Sequence, residues 1–201
     1  METRQAILAR RSVRSFSQEP LERGFLEDLV AVARLSPAAA NLQPLEYVVV
    51  TQPELCEEIF GCLKWAAYTA PVGTPDEAHR PTAYVAVAVR QEYLPSVGSD
   101  YDLGAAVMAM LLLAQDQGVG TCWIHSINGP RASKLLGLPP ELKLDSVIAL
   151  GRPAEEPTTV DLSPEQVGKE VIRYWRDDHG RQVVPKRALG NMLHWKRHGG
   201  K

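Results

Sequence analysis

Arg10-Arg11-Ser12-Val13-Arg14 sets three guanidinium groups and a hydroxyl within five residues. A guanidinium fork meets phosphate oxygens two at a time and a serine hydroxyl adds a donor, so the run offers an anion site. A solvated basic turn is the plainer alternative. Lys186-Arg187 is a second basic pair, at the start of an expected last helix whose free backbone N–H groups would also favour an anion. Between the two, the loop Ser36-Pro37-Ala38-Ala39-Ala40-Asn41-Leu42-Gln43-Pro44 has small side chains that let backbone approach a ligand. Asn41 and Gln43 add paired donors and acceptors, and a flat heteroaromatic ring would suit such a loop, as would no ligand at all. Gly118-Val119-Gly120-Thr121-Cys122-Trp123-Ile124-His125-Ser126 is a turn entering a strand that ends in His125 and Ser126.

Other chemistries find less support. His194 and His198 stand four apart, a metal-pair spacing, but no third ligand or glutamate base accompanies them. No G-x-S-x-G or Walker loop is present, and Gly118-Val119-Gly120 lacks the third glycine and the following acid of a dinucleotide fingerprint. Cys122 sits mid-strand with no histidine spaced to lower its pKa, so it reads as a packed thiol. A net charge of -2 gives no basic field for nucleic acid or an anionic membrane, so the partner is expected to be a small molecule. The longest apolar run, Ala105 to Ala114, is about half of the ~20 residues a membrane span needs, and Met1-Glu2-Thr3-Arg4 begins no signal pattern. Cys56, Cys62 and Cys122 show no C-x-x-C spacing, which points to reduced thiols and a cytoplasmic protein.

The elements that must position these residues follow from periodicity. At 201 residues, 45% of them hydrophobic, the chain suits a single domain with a sizeable core. A short helix is expected over 2–10, and a stronger one after Pro20 with Leu26, Leu29, Val30 and Ala33 on one face. Strands are expected at Tyr47 to Thr51, Thr82 to Arg90, Thr121 to Ile124 and Asp145 to Leu150, with helices at Pro53 to Leu63 and near Pro130 to Leu136. The helix from Asp100 or Asp102 to Gln117 is apolar nearly all round and must be covered on every side, by its own sheet or by a second subunit. From Arg152 onward the chain turns polar and proline-punctuated, with anchors at Val171, Ile172, Trp175, Met192 and Trp195 and a last helical patch at Lys186 to Trp195. That composition predicts an arm that wraps a neighbour.

Taken together, these segments resemble the nitroreductase family. R-R-S-x-R-x-F stands at Arg10 to Phe16, S-P-x-x-x-N-x-Q-P at Ser36 to Pro44, and D-x-G-A-A begins at Asp102 in a helix leading to G-x-G-x-C-W, which ends at Trp123. A-L-G-x-P follows at Ala149 to Pro153, and the basic pair lies in the tail, so the match covers nearly the whole chain. The resemblance implies an α+β fold with a central mixed, mainly antiparallel sheet flanked by helices, one FMN-binding domain over 1–201, its C-terminal arm (152–201) on the partner of a homodimer. It also implies site residues. Arg10, Arg11, Ser12 and Arg14 would hold the FMN phosphate and ribityl chain, joined by Lys186 and Arg187. Pro37, Ala38, Ala39 and Asn41 of the other subunit, with Gln43 beside them, would line the isoalloxazine. Trp123, Ile124, His125 and Ser126 would run along its opposite side, and Lys64 would reach the pyrimidine edge. The implied activity moves electrons from NAD(P)H through FMN to a small flat acceptor (nitroaromatic, quinone or enone) by a ping-pong scheme, with no catalytic side chain. Alternatives are a flavin-binding protein without turnover, or another flavin chemistry such as flavin destruction or dehalogenation.

Three departures stand out. Ala38, Ala39, Ala40 and Leu45 replace the serines or tryptophan that many members carry, so hydrogen bonds there must come from backbone. His125 fills a position often held by glycine. The Gln91 to Tyr101 connection is too short for a helical lid, which leaves the substrate face open or covered by the Trp65 to Pro81 loop, with Trp65 and Tyr68 as acceptor contacts.

Overall fold

A computed structural model describes residues 1–93 and 99–200. The middle of the Gln91 to Tyr101 connection, residues 94–98, therefore lies outside the described residues. Chain order runs α1 (Thr3–Ala9), α2 (Arg23–Arg34), β1 (Leu45–Val50), α3 (Pro53–Phe60), β2 (Ala83–Arg90), α4 (Ser99–Asp116), β3 (Gly120–Ile124), α5 (Gly129–Leu135) and β4 (Leu142–Gly151). β5 (Thr158–Asp161), β6 (Trp175–Arg176) and β7 (Gln182–Lys186) follow in the tail.

The main sheet has the order β1-β2-β4-β3, and its three strand pairings are antiparallel. Period-2 alternation divides its side chains between two layers. Val85, Val87 and Val89 of β2, with Ile148 and Leu150 of β4, face α2 and α4 in one core. Tyr84 and Ala86 of β2, with Val147 and Ala149 of β4, face the other core, where Cys56 and Ile59 of α3 and Ala132 of α5 pack. β2 is central and buried on both faces, which is why its sequence is apolar without a polar face. α4 meets the apolar-all-round expectation only in part, since Met108 and Tyr101 are exposed on the single chain. No helix of the described residues is long and apolar enough to cross a membrane.

The N-terminal strap 12–17 crosses the ends of β3 and β4. Ser12 forms a parallel bridge with Thr121 and Phe16 an antiparallel one with Pro153. Backbone hydrogen bonds fasten it further: Val13 N–H to Thr121 O (2.8 Å), Phe16 N–H to His79 O (3.0 Å), and Ala154 N–H to Ser15 O (2.8 Å). Val13 and Phe16 point inward and are buried. Gly120 and Gly151 are glycine for the strap's sake: a Cβ on either would stand 3.0 Å from Val13 or Phe16, respectively.

The tail differs from expectation. Lys186 closes strand β7 rather than opening a helix, and beyond it, among the described residues, a single 3-10 turn forms at Leu189–Asn191. β7 lies between β5 (parallel) and β6 (antiparallel), so the tail has its own small sheet, with Leu162, Gln182 and Val183 buried. Of the helix expected at Lys186 to Trp195, Lys186 is taken into β7, and Leu189, Met192, Leu193 and Trp195 stay exposed on the single chain with no apolar face packed to support a helix.

Candidate functional site

The strap buries Val13 and Phe16 and leaves Ser12 and Arg14 half-exposed, with Arg10 and Arg11 just before them. Burial, then the neighbouring Arg11 charge, pulls the Arg10 guanidinium below its ordinary range. Arg11 donates through Nη1 to Arg10 O (2.6 Å) and through Nη2 to Thr159 Oγ1 of β5 (3.2 Å), while its Nε is buried without a partner. Arg14 lies over the Tyr174 ring (5.2 Å), and its backbone N–H is donated to Glu155, whose other oxygen binds Arg176 (3.0 Å). Among the described residues no carboxylate forms an ion pair with Arg10, Arg11 or Arg14. Three guanidinium groups without an ion-paired carboxylate among the described residues, one of them with a buried, unpartnered Nε, fit an anion such as phosphate.

The tail's basic pair reaches this neighbourhood by strand register. Thr159, touched by Arg11, stands opposite Val184, and Lys186 lies two positions further along the same pair. Lys186 is exposed, and Arg187 Nη2 is donated to Asn191 O (3.0 Å). Neither gains the helix N-terminus expected of it, so any anion contact there is by side chain alone.

A second junction forms at the end of β3. Lys64 N–H bonds Ser126 O (2.9 Å), Asn128 N–H bonds Cys62 O (2.8 Å), and Leu63 bridges Ile127. Two segments sixty residues apart are thus brought side by side. Ile124 is buried, Trp123 is 38% exposed, and His125 is exposed with Nδ1 3.6 Å from Asp145 Oδ2.

The Ser36–Pro44 loop is held elsewhere. Ala39–Asn41 forms a 3-10 turn, and Ala40, Asn41 and Gln43 adopt φ of 50, 56 and 49°, the left-handed region that non-glycine residues rarely enter. Ala39 N–H is donated to Asp102 Oδ1 of α4 (2.9 Å). Pro37, Ala38, Gln43 and Asp102 line a cavity of about 140 Å³ between α2, β1 and α4.

Trp65 and Tyr68, both expected in the acceptor cleft, part company. Trp65 is 7% exposed, packed on Phe60 (ring centroids 5.5 Å apart) in the α3–α5 core, so it faces no cleft of this chain. An apolar ring this large is drawn into the core that the following Ala66 also joins. Tyr68 is 57% exposed and packs on Tyr174 of the tail (5.0 Å). A larger cavity, about 790 Å³, opens beside Arg14 between the Val72–His79 loop and the tail, lined in part by Glu155, Arg176 and His179.

The thiols are not nucleophiles in this setting: burial pushes Cys56 up to about 11, and raises Cys62 and Cys122 as well. Sequence reasoning missed Tyr174 and Glu155, which nothing local marks. Asp102 was legible as a helix cap and as the first residue of D-x-G-A-A, but not as the partner of Ala39.

A family model described as Nitroreductase family matches residues 7–152, which include the strap, the Ser36–Pro44 loop, the end of β3 and the Lys64 junction. The chain belongs to the nitroreductase family. Among relatives of this nitroreductase-family chain, an NADH dehydrogenase from Thermus thermophilus is 27% identical over 185 residues, covering 78% of this chain and 89% of its own. A solved structure from Desulfovibrio desulfuricans, in complex with FMN, is 26% identical with a TM-score of 0.61, covering 78% of this chain and 88% of that one. A nitroreductase family protein from Clostridium difficile, 18% identical, shares the fold over 98% of this chain and 99% of its own, with a TM-score of 0.69.

Proposed function

We propose that this chain is an FMN-dependent oxidoreductase that takes electrons from NAD(P)H and delivers them to a small flat acceptor such as a nitroaromatic, a quinone or an enone. The observation that carries the reading is the strap, where among the described residues the guanidinium groups of Arg10, Arg11 and Arg14 form no ion pair and the buried Arg11 Nε has no partner. Family membership and the FMN complex of the Desulfovibrio relative support it. FMN held there would supply the hydride-accepting and electron-donating chemistry. The chain supplies grip and shape. Arg10, Arg11, Ser12 and Arg14 hold the phosphate end, assisted by Lys186 and Arg187, while backbone near Trp123 to Ser126 and Lys64 lies along the ring. Pro37, Ala38, Ala39, Asn41 and Gln43 of a second copy close the other side. Tyr68 and the cavity beside Arg14 leave room for an acceptor, and protons would come from water, a ribityl hydroxyl or exposed His125.

The homodimer is supported by exposed Leu189, Met192, Leu193 and Trp195 at the chain's end, an apolar group larger than scattered surface residues explain. Removing residues 188–201 is expected to shift the protein toward monomer in analytical ultracentrifugation; an unchanged dimer would remove the tail from the interface. The function is tested by the absorption spectrum of the purified protein and by oxidation of NADH and NADPH with menadione as acceptor. Flavin bands and acceptor-dependent turnover are expected. Flavin without turnover would leave a binding protein, and no flavin after reconstitution with FMN would end the reading.

A further inference from the structure

Asp102 lies in the first turn of α4, is only 7% exposed, and has no ion-pair partner among the described residues. A buried carboxylate needs compensation, and among the described residues Asp102 accepts a hydrogen bond from Ala39 N–H, 2.9 Å away and 63 residues earlier in the chain. That N–H opens the turn in which Ala40 and Asn41, and then Gln43, take left-handed backbone. Left-handed backbone costs roughly 1–2 kcal/mol at Ala40 and at Gln43 and less at Asn41, so the loop has other conformations within easy reach. Pro37 and Pro44 restrict the loop's ends, but neither fixes its middle. The charge-assisted bond from Asp102 acts there, at the point where the chain enters the strained turn.

We propose that Asp102 is the positioning residue of the Ser36–Pro44 loop: from α4 its buried carboxylate captures Ala39 N–H and fixes the left-handed turn in the shape that lines the flavin. The inference rests on the proposed function, because it takes the loop to be a flavin contact. Asp102 does not touch the flavin. It acts through the backbone of Ala39, where the alanines of this loop leave backbone groups as the means of recognition.

The proposal is tested on the full-length protein with Asp102→Ala and Asp102→Asn, measuring FMN affinity by fluorescence titration and the visible circular dichroism of bound flavin, which reports the asymmetry of the ring's surroundings. Asp102→Ala should weaken FMN binding roughly 10- to 100-fold and change the dichroic band. Asp102→Asn keeps an acceptor oxygen and should recover affinity to within about fivefold, with the parent band. Ala39→Pro removes the donor instead and provides a second route if Asp102→Ala does not fold. Ala38, with φ -129° and ψ 144°, already has the backbone a residue before proline requires. Its flavin spectrum should resemble that of Asp102→Ala. Parent-like affinity and dichroism in both Asp102→Ala and Ala39→Pro would overturn the proposal. So would equal losses in Asp102→Ala and Asp102→Asn, which would mean that the buried charge supports the fold rather than the loop. If the parent itself binds no FMN, the proposed function fails and not this inference alone.

Discussion

The strap and the Ser36–Pro44 loop are both read as cofactor contacts, and they are built in opposite ways. The strap is fastened by backbone hydrogen bonds to β3, to the residues just beyond β4 and to His79, with Val13 and Phe16 sunk beneath it, so its shape follows from the sheet. The loop has no buried anchor between Pro37 and Leu42, carries strained backbone, and is tied down at Ala39 by Asp102. Rigid backbone under free cations suits a group recognised by charge. A strained turn of small residues suits a flat surface that is met at close range and whose fit depends on shape.

If the strap's geometry is set by packing, removing its anchor should do the most damage. Phe16 is fully buried, and Phe16→Ala should cost about 3–5 kcal/mol in urea denaturation and take flavin binding with it. A variant with parent stability would show that hydrogen bonds alone hold the strap. The same contrast between packed and exposed groups separates Trp65 from Tyr68. Trp65→Ala should destabilise by a similar ~3–5 kcal/mol, whereas Tyr68→Ala should change stability by less than ~1 kcal/mol and raise the KM for menadione. Equal stability losses would place Tyr68 in the core as well.

Arg10→Ala should leave the melting curve nearly unchanged and weaken FMN binding roughly 10- to 150-fold, as expected when a charge-assisted bond of about 1.5–3 kcal/mol is lost. Unaltered affinity in a flavin titration would separate the strap from the phosphate. The smallest effect is expected in the loop. Ala40→Gly relieves a φ of 50° but frees the unfolded chain, so stability should shift by no more than about 1 kcal/mol, while FMN affinity falls as the turn loosens. A loss of several kcal/mol would mean that Ala40 packs more tightly than its exposed position indicates.

Much of the main sheet could be read from sequence because local pattern and tertiary demand agree there. Thr82 to Arg90 is apolar on both faces since β2 is central, and Gly118, with φ 67°, ends α4 as a helix-closing glycine should. β4 is longer than expected, starting at Leu142 rather than Asp145, because its first residues are only half-buried and lack a continuous apolar run. The tail was not legible. Thr158–Asp161, Trp175–Arg176 and Gln182–Lys186 are short, and each depends on a partner many residues away. Pro185 argues locally against a strand, yet it fits in β7 because β6 pairs only with Gln182 and Val183, leaving β7 without a neighbour on that side at Pro185. At the site, residue types announced the strap's cations. The depth of Trp65 and the anchoring of Ala39 by Asp102 depend on contacts that no local pattern encodes.

The strap has a consequence for synthesis on the ribosome. Its residues are made well before the partners that shape it, Thr121, Pro153 and Ala154, and Thr159, which meets Arg11, comes later still. Contacts so distant in sequence close late. A nascent chain therefore displays its arginine cluster long before the groups that shape it exist, and Arg11 can meet Thr159 only once β5 has left the exit tunnel.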